Sequence, residues 1–489
     1  MLRTGDQYLD ALRDGRVVYL GGERVPDVTV HPAFRNTART LAAMYDYKVV
    51  HREAMCFEED GEWYSNWYLV PRSQDDLRRR AEAHRRIARL SHGLLGRSMD
   101  HVASYMSGLR MRPDLLDSNR QGSGSNFVEY FDYLKKNDLF SSYLILTPPG
   151  ARPKTSGSRA DDPAPMLEVL SHDADGVVVS GIKTLGTSAV FADEAWLGNV
   201  LPLAEHQKEL ALTFAVEINR PGVELWVRKS IEQRADDGIE GYFSSRFDES
   251  DAVLVLKEVK VPWSRIFVLD DPALSRDIYF KTPAHTMGNH QSAIRFTEKM
   301  RLLNGIAHKA AEVNGVIAIP AVQQTLGRLA AMESALLALV EGQISQHERM
   351  VPGYVNVNRS FVYASMQWST HNYYQVAETV RDLFGAAPFQ MPADNSFADH
   401  PALRATFDRY WLSAGASAMD RYSFMKMVWD LLGSDFGARQ NHYERFYGGP
   451  AHMNEMYNFW TFDWNDRRAV VDDILDRFPF PNASREAAE

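Results

Sequence analysis

Two segments hold the side chains best suited to chemistry: Gly96-Arg97-Ser98-Met99-Asp100-His101 and, further on, Tyr143-Leu144-Ile145-Leu146-Thr147-Pro148-Pro149. Arg97 brings a permanent cation, and His101 and Tyr143 bring an imidazole and a phenol that can share proton duties. Other chemistries lack their residues. The histidines include no His-Glu-x-x-His, carboxylates do not cluster at metal spacing, and His84, His92 and His101 stand too far apart for one helical turn, so no metal is expected. There is no Gly-x-Ser-x-Gly elbow, and Cys56, between Met55 and Phe57, reads as a small buried hydrophobe. Gly181-Ile182-Lys183-Thr184 misses a P-loop by one residue and sits in a strand pattern. Gly122-Ser123-Gly124-Ser125-Asn126 follows no strand and reads as a helix start.

The elements that must position these groups fall into three units, as expected for 489 residues at about 150 per domain. With 45% hydrophobic and 24% charged residues the chain has an ordinary globular composition, and its net charge of −10 argues against a nucleic-acid partner. One cysteine can close no internal disulfide and build no iron–sulfur cluster, which suits a reducing compartment. No signal-like apolar region opens the chain and no run approaches about 18 apolar residues, so no membrane is expected and a cytoplasmic location is. Helical periodicity runs from about Thr37 to Asn137. Between about Ser141 and Pro262 it yields to β-branched runs: a hairpin with its turn at Asp173-Ala174-Asp175-Gly176, then strands at 210–216, 223–227 and 252–256. Without helix-length spacers these predict an antiparallel sheet or barrel. From about Asp271 helical periodicity returns, and the Leu, Ala and Met stripe of 325–349 reads as core or oligomer interface. The expected domains are 1–140, helical; 141–270, β; and 271–489, helical with the oligomer interface.

In this order, the two segments join Ser180-Gly181-Ile182-Lys183 leading to Thr187, Ser244-Ser245-Arg246-Phe247-Asp248-Glu249, Val261-Pro262-Trp263 and Gly433-Ser434-Asp435-Phe436-Gly437-Ala438-Arg439. The set resembles the oxygenase component of two-component 4-hydroxyphenylacetate 3-monooxygenases and related phenol hydroxylases, from about Thr4 to about Tyr447. The resemblance implies an α+β, mostly helical, acyl-CoA-dehydrogenase-like fold. It also implies reduced FAD supplied by a separate flavin reductase, reaction with O2 to a flavin C4a-hydroperoxide, and hydroxylation of a small phenolic or related aromatic substrate, free or carrier-bound. A homodimer or homotetramer is expected. Such chemistry asks for a dry pocket, because water releases hydrogen peroxide instead.

In the family's Gly-Arg-x-Pro-Asp-Tyr motif Arg97 matches the Arg, while Met99 replaces the Pro and His101 the Tyr; Tyr143 replaces a His before the Pro-Pro turn. The resemblance implies catalytic roles for Arg97, His101 and Tyr143, with Arg97 able to steady a phenolate or polarise a peroxide. It places the substrate by Arg97, His101, Leu201 and Pro202. It places the flavin by Tyr143, Leu144 and Ile145, by Pro149, Gly150, Ala151 and Arg152, by Thr187, and by Tyr447, Gly448, Gly449 and Pro450. His101 is expected to titrate near neutral pH. Two other readings stand beside this one. An acyl-CoA dehydrogenase or dehydratase would share the fold, though the dehydratases need several cysteines; a non-enzymatic scaffold would perform no oxygen chemistry.

Overall fold

A computed structural model describes residues 2–146, 148, 167–200, 202–232 and 241–477. Ten strands form two sheets: β1 (Val17–Leu20), β2 (Glu23–Val25), β3 (Ser141–Leu144), β4 (Glu168–His172), β5 (Gly176–Thr187), β6 (Glu194–Leu197), β7 (Leu212–Glu217), β8 (Val223–Val227), β9 (Asp251–Pro262) and β10 (Ile266–Leu269). One sheet has the order β2-β1-β8-β9-β5-β4, and the other β10-β7-β6-β3. The β4–β5 hairpin forms as the sequence predicts, because the Asp173 carboxylate accepts from the backbone N–H groups of Asp175 and Gly176 and closes the turn. Along β9, Ala252, Leu254 and Leu256 alternate into the core.

The sheets depart from the expected antiparallel pattern in two places. β1 pairs parallel with β8, Val18 opposite Leu225, and β3 pairs parallel with β6, Tyr143 opposite Trp196. Parallel neighbours are joined by long connections rather than hairpins, so no local pattern announces them. The N-terminal segment also carries β1, β2 and a hairpin of Cys56–Glu59 with Glu62–Ser65, within and ahead of the stretch read as helical. Its short strands hold too few residues for their alternation to stand out.

Seven helices position the site: α1 (Gln74–Leu90), α2 (Met99–Leu109), α3 (Pro272–Phe280), α4 (Ala284–Val313), α5 (Arg359–Phe384), α6 (Asp435–Phe446) and α7 (Ala451–Thr461). Every residue of α2 is buried. Its small side chains make that possible: Ser104 and Ser107 return their hydroxyls to the carbonyls of Asp100 and Ala103. Gly288 of α4 has no Cβ where the Tyr105 ring lies, so the two helices approach closely. Among the described residues no helix is long and apolar enough to cross a membrane.

Helix α6 starts at Ser434, whose hydroxyl accepts from the N–H groups of Phe436 and Gly437. Two ion clusters pin it. Arg439 donates to Glu249 (2.6 Å) and Asp251 (3.0 Å) beside the sheet. Glu444 takes Arg295 in a two-pronged contact, with Nη2 at 2.9 Å, and also pairs with Lys299, both from α4. Burial pushes the Glu444 carboxyl up, and these two cations more than reverse it, holding it at about 2.

Glu444→Leu would leave Arg295 and Lys299 buried without their anion, so urea unfolding should register a loss of about 3–5 kcal/mol. The native pKa is depressed, so this stabilisation is full above the ordinary value of 4.5 and fades as pH falls toward about 2. Parent and variant stabilities should therefore converge in acid. A constant gap down to the lowest pH would assign the loss to packing.

Candidate active site

Arg97 lies in the turn between α1 and α2, where its backbone N–H donates to Glu249 (2.6 Å), the carboxylate that also holds Arg439. The preceding Gly96 packs so tightly under Tyr443 that a Cβ would overlap the ring and its hydroxyl. The partly buried guanidinium sits over the rings of Tyr143 (5.6 Å) and Tyr447 (5.4 Å). Among the described residues no carboxylate pairs with it, and its Nε is closed off from solvent without a partner. Neighbouring cations are provided for: Arg295 and Arg439 have carboxylates, and Arg80 has the carbonyls of Asn66, Trp67 and Leu69. Cation–π contacts return only on the order of 1–2 kcal/mol each, so Arg97 remains set to receive an anionic or polarised oxygen.

His101 sits four residues on, within α2. Its Nδ1 is 3.0 Å from the Gln291 Oε1, while Nε2 is buried without a partner among the described residues. Burial first, then the charge of Arg97, lowers its pKa to about 3. This corrects the expectation of a group titrating near neutrality: the imidazole stays uncharged through the physiological range. Burial likewise raises the Tyr143 phenol well above its ordinary value. The two therefore act as neutral hydrogen-bonding groups.

Aromatic rings pack around these groups. Tyr105 stacks on Tyr143 (5.0 Å) and meets the His101 ring edge-on (5.3 Å), and Tyr447 reaches His101 from the other side (5.9 Å). Tyr279 of α3 packs against Tyr143 (6.1 Å), and its hydroxyl accepts from Trp196 Nε1 (3.1 Å) and lies against Gly198. The Tyr443 and Tyr447 hydroxyls, like Arg97 Nε and His101 Nε2, are buried and unpartnered among the described residues. Buried polar groups almost always find partners, so four orphans on adjoining side chains mark a place where a ligand supplies them.

Of the expected residues, Arg97, His101, Tyr143 and Tyr447 come together. Leu144 is buried on β3 and gives its carbonyl to Gly198 N–H (3.2 Å), with Ile145 following it. Thr187 is committed to protein partners: its hydroxyl donates to Asp251 (2.7 Å) and its carbonyl accepts from Ser142 (3.1 Å). Gly448, Gly449 and Pro450 link α6 to α7, with Gly449 at a left-handed φ of 87°. Pro202 is solvent-exposed. Pro149, Gly150, Ala151, Arg152 and Leu201 lie outside the described residues. Sequence reasoning did not single out Tyr105, Tyr279, Gln291 or Tyr443, which no motif flags. It did quote the segments that end in Glu249 and Arg439, and these meet directly behind Arg97.

The family described as 4-hydroxyphenylacetate 3-hydroxylase matches this chain over residues 4–268, its N-terminal part, and 275–476, its C-terminal part. The oxygenase component of a 4-nitrophenol 2-monooxygenase from Rhodococcus sp is 31% identical, across 94% of this chain and 88% of the relative. A crystal structure of the oxygenase component of 4-hydroxyphenylacetate 3-monooxygenase, complexed with FAD and 4-hydroxyphenylacetate, superposes with a TM-score of 0.91. It is 26% identical and covers 97% of this chain and 98% of that one. A 4-hydroxybutyryl-CoA dehydratase from N. maritimus shares the fold at a TM-score of 0.87 and 18% identity, across 100% of this chain and 98% of its own.

Because Gly96 and Tyr443 compete for one space, Gly96→Ala should destabilise the chain by about 1–3 kcal/mol. Adding Tyr443→Ala should return part of that loss, giving a double-mutant coupling of about 1 kcal/mol. Strict additivity in chemical unfolding would mean that the ring does not bear on Gly96.

Proposed function

The chain belongs to the 4-hydroxyphenylacetate 3-hydroxylase family, and from that premise we propose that it is the oxygenase component of a two-component monooxygenase acting on a phenolic or related aromatic ring with O2 and reduced FAD. A separate flavin reductase supplies the reduced FAD. The observation that carries this reading is the Arg97 guanidinium, held between two tyrosine rings without an anion and beside the vacant acceptor of His101.

The residues present suit a flavin beside a ring. Arg97 Nε and the Tyr443 hydroxyl are orphaned, and flat aromatic walls stand around them. Residues that would hold FAD are Tyr143 to Ile145, Thr187 through its hydroxyl lone pair, and Tyr447 to Pro450. The chemistry reduced FAD supplies when bound is activation of O2 and transfer of one oxygen atom to the ring. The chain's own groups do the rest. Arg97 grips the ring's hydroxyl oxygen and offsets the negative charge that develops there. His101 Nε2 accepts a hydrogen bond from the hydroxyl proton, and the neutral Tyr143 phenol, which hydrogen-bonds with Tyr279, offers Arg97 its ring face. Tyr105, Tyr143 and Tyr279, all buried, keep water away.

The C-terminal part supports assembly as a homodimer or homotetramer. Phe459, Trp460, Phe462 and Trp464 are exposed, and so are Val470, Val471, Ile474 and Leu475 on the helix Trp464–Arg477. A monomer rarely leaves so continuous an apolar surface in water. An unpaired, buried Cys56 suits the reducing cytoplasm. The acyl-CoA dehydratase alternative has a likeness of fold alone behind it.

The test is incubation with reduced FAD, O2 and a panel of phenols, scored by hydroxylated product; hydrogen peroxide alone with every phenol would contradict the reading. Arg97→Ala should cut coupled product by at least ~10²-fold with folding intact, as when a preorganised charge on a reacting oxygen is removed. Parental product with lowered thermal stability would make Arg97 structural. His101→Asn should lower the yield without moving any inflection between about pH 6 and 8, because His101 is already neutral there.

A further inference from the structure

The two ring nitrogens of His101 are not equivalent, and the cause lies one residue back along α2. Asp100 is fully buried, and its carboxylate accepts from Ser98 Oγ (2.7 Å), from His84 Nδ1 (2.7 Å) and, through both oxygens at 3.2 Å, from the Gln291 side-chain amide. Burial opposes its ionisation, but these bonds outweigh it and keep the carboxyl below its ordinary value. An ionised carboxylate only accepts, so Gln291 must turn its NH2 toward Asp100 and its carbonyl oxygen toward His101. That oxygen also only accepts. The proton of the neutral imidazole therefore sits on Nδ1, 3.0 Å away, and Nε2 carries a lone pair.

We propose that Asp100 and Gln291 are positioning residues that hold His101 as its Nδ1–H tautomer, and that the lone pair on Nε2 thereby selects aromatic substrates whose substituent beside Arg97 carries a proton. The inference rests on the aromatic-substrate reading above and sharpens it. Arg97 can only donate and His101 Nε2 can only accept. A hydroxyl satisfies both, taking a hydrogen bond from Arg97 on its oxygen and giving its own proton to Nε2. A fluorine or a methoxy group in the same place answers Arg97 alone and leaves a buried acceptor unpaired. Sites built around such a donor reject analogues that lack it. The opposite tautomer would turn Nε2 into a second donor and welcome acceptor-only substituents.

The experiment has two arms. In the first, 15N spectra of histidine-labelled protein are recorded without flavin or substrate between about pH 6 and 8, and the His101 signals are assigned by their loss in His101→Asn. The parent should show a protonated Nδ1 and a bare Nε2. In Asp100→Asn the new amide can donate to Gln291, which is then free to turn and offer its NH2 to Nδ1, so the proton should move to Nε2. Gln291→Leu should give a mixture, and Gln291→Glu, which in its protonated form repeats the donor and acceptor, should restore the parental tautomer. In the second arm, dissociation constants are compared for a phenol and its fluoroarene counterpart. The parent should favour the phenol by at least ~10-fold, and Asp100→Asn and Gln291→Leu should lose most of that preference. A parental spectrum with the proton on Nε2, or a phenol preference unchanged in both variants, overturns the proposal. If neither arene binds the parent, the aromatic-substrate reading and the selection fail together, and the spectra still decide the tautomer.

Discussion

A cation without an anion sets the terms for this protein. Arg97 is held over two tyrosine rings with no carboxylate of the described residues paired to it, while Arg295 and Arg439 beside it have theirs. Holding it there needs a rigid frame, and α6 is that frame. One end of the helix is tied to the sheet through Arg439, Glu249 and Asp251, and the other to α4 through Glu444, Arg295 and Lys299. Glu249 is shared between the frame and the backbone of Arg97 itself. The ion pairs thus act less as stability for its own sake than as fixed anchors for Tyr443 and Tyr447.

The three parts of the chain each contribute a wall that the others lack. The N-terminal part supplies Arg97, His101 and Tyr105, the β part Tyr143 and Gly198, and the C-terminal part Tyr279, Gln291, Tyr443 and Tyr447. His101, Tyr105 and Tyr143 are all buried, so the cluster has little contact with water. Burial keeps His101 and Tyr143 neutral, and among the charges that act on His101 that of Arg97 is the largest. That asymmetry suits a reaction in which a phenolic oxygen gains negative charge next to a group water must not reach.

Much of this was legible in the residues. The ordered motifs brought Arg97, His101, Tyr143 and Tyr447 onto one short list, and the Asp173–Gly176 turn announced its hairpin, because both are signals written locally. The parallel pairings of β1 with β8 and β3 with β6 were not legible, since they join residues whose spacing carries no period. Nor were the helix-borne partners Gln291 and Tyr443, which look like ordinary core positions until α4 and α6 are packed. The lowered pKa of His101 is hidden for a related reason: it depends on burial and on Arg97 nearby, and neither can be read from a residue type. Thr187, expected to contact the flavin, spends its hydroxyl proton on Asp251, a partner no local pattern announces.

A crystal structure of the protein with a bound phenol, prepared without oxygen, reads directly where the ring hydroxyl settles. The expected result is a phenolic oxygen about 3 Å from both the Arg97 guanidinium and His101 Nε2, with the ring against Tyr105 and Tyr143. A ring bound elsewhere, with Arg97 closed in a salt bridge to a carboxylate of its own chain, would contradict it.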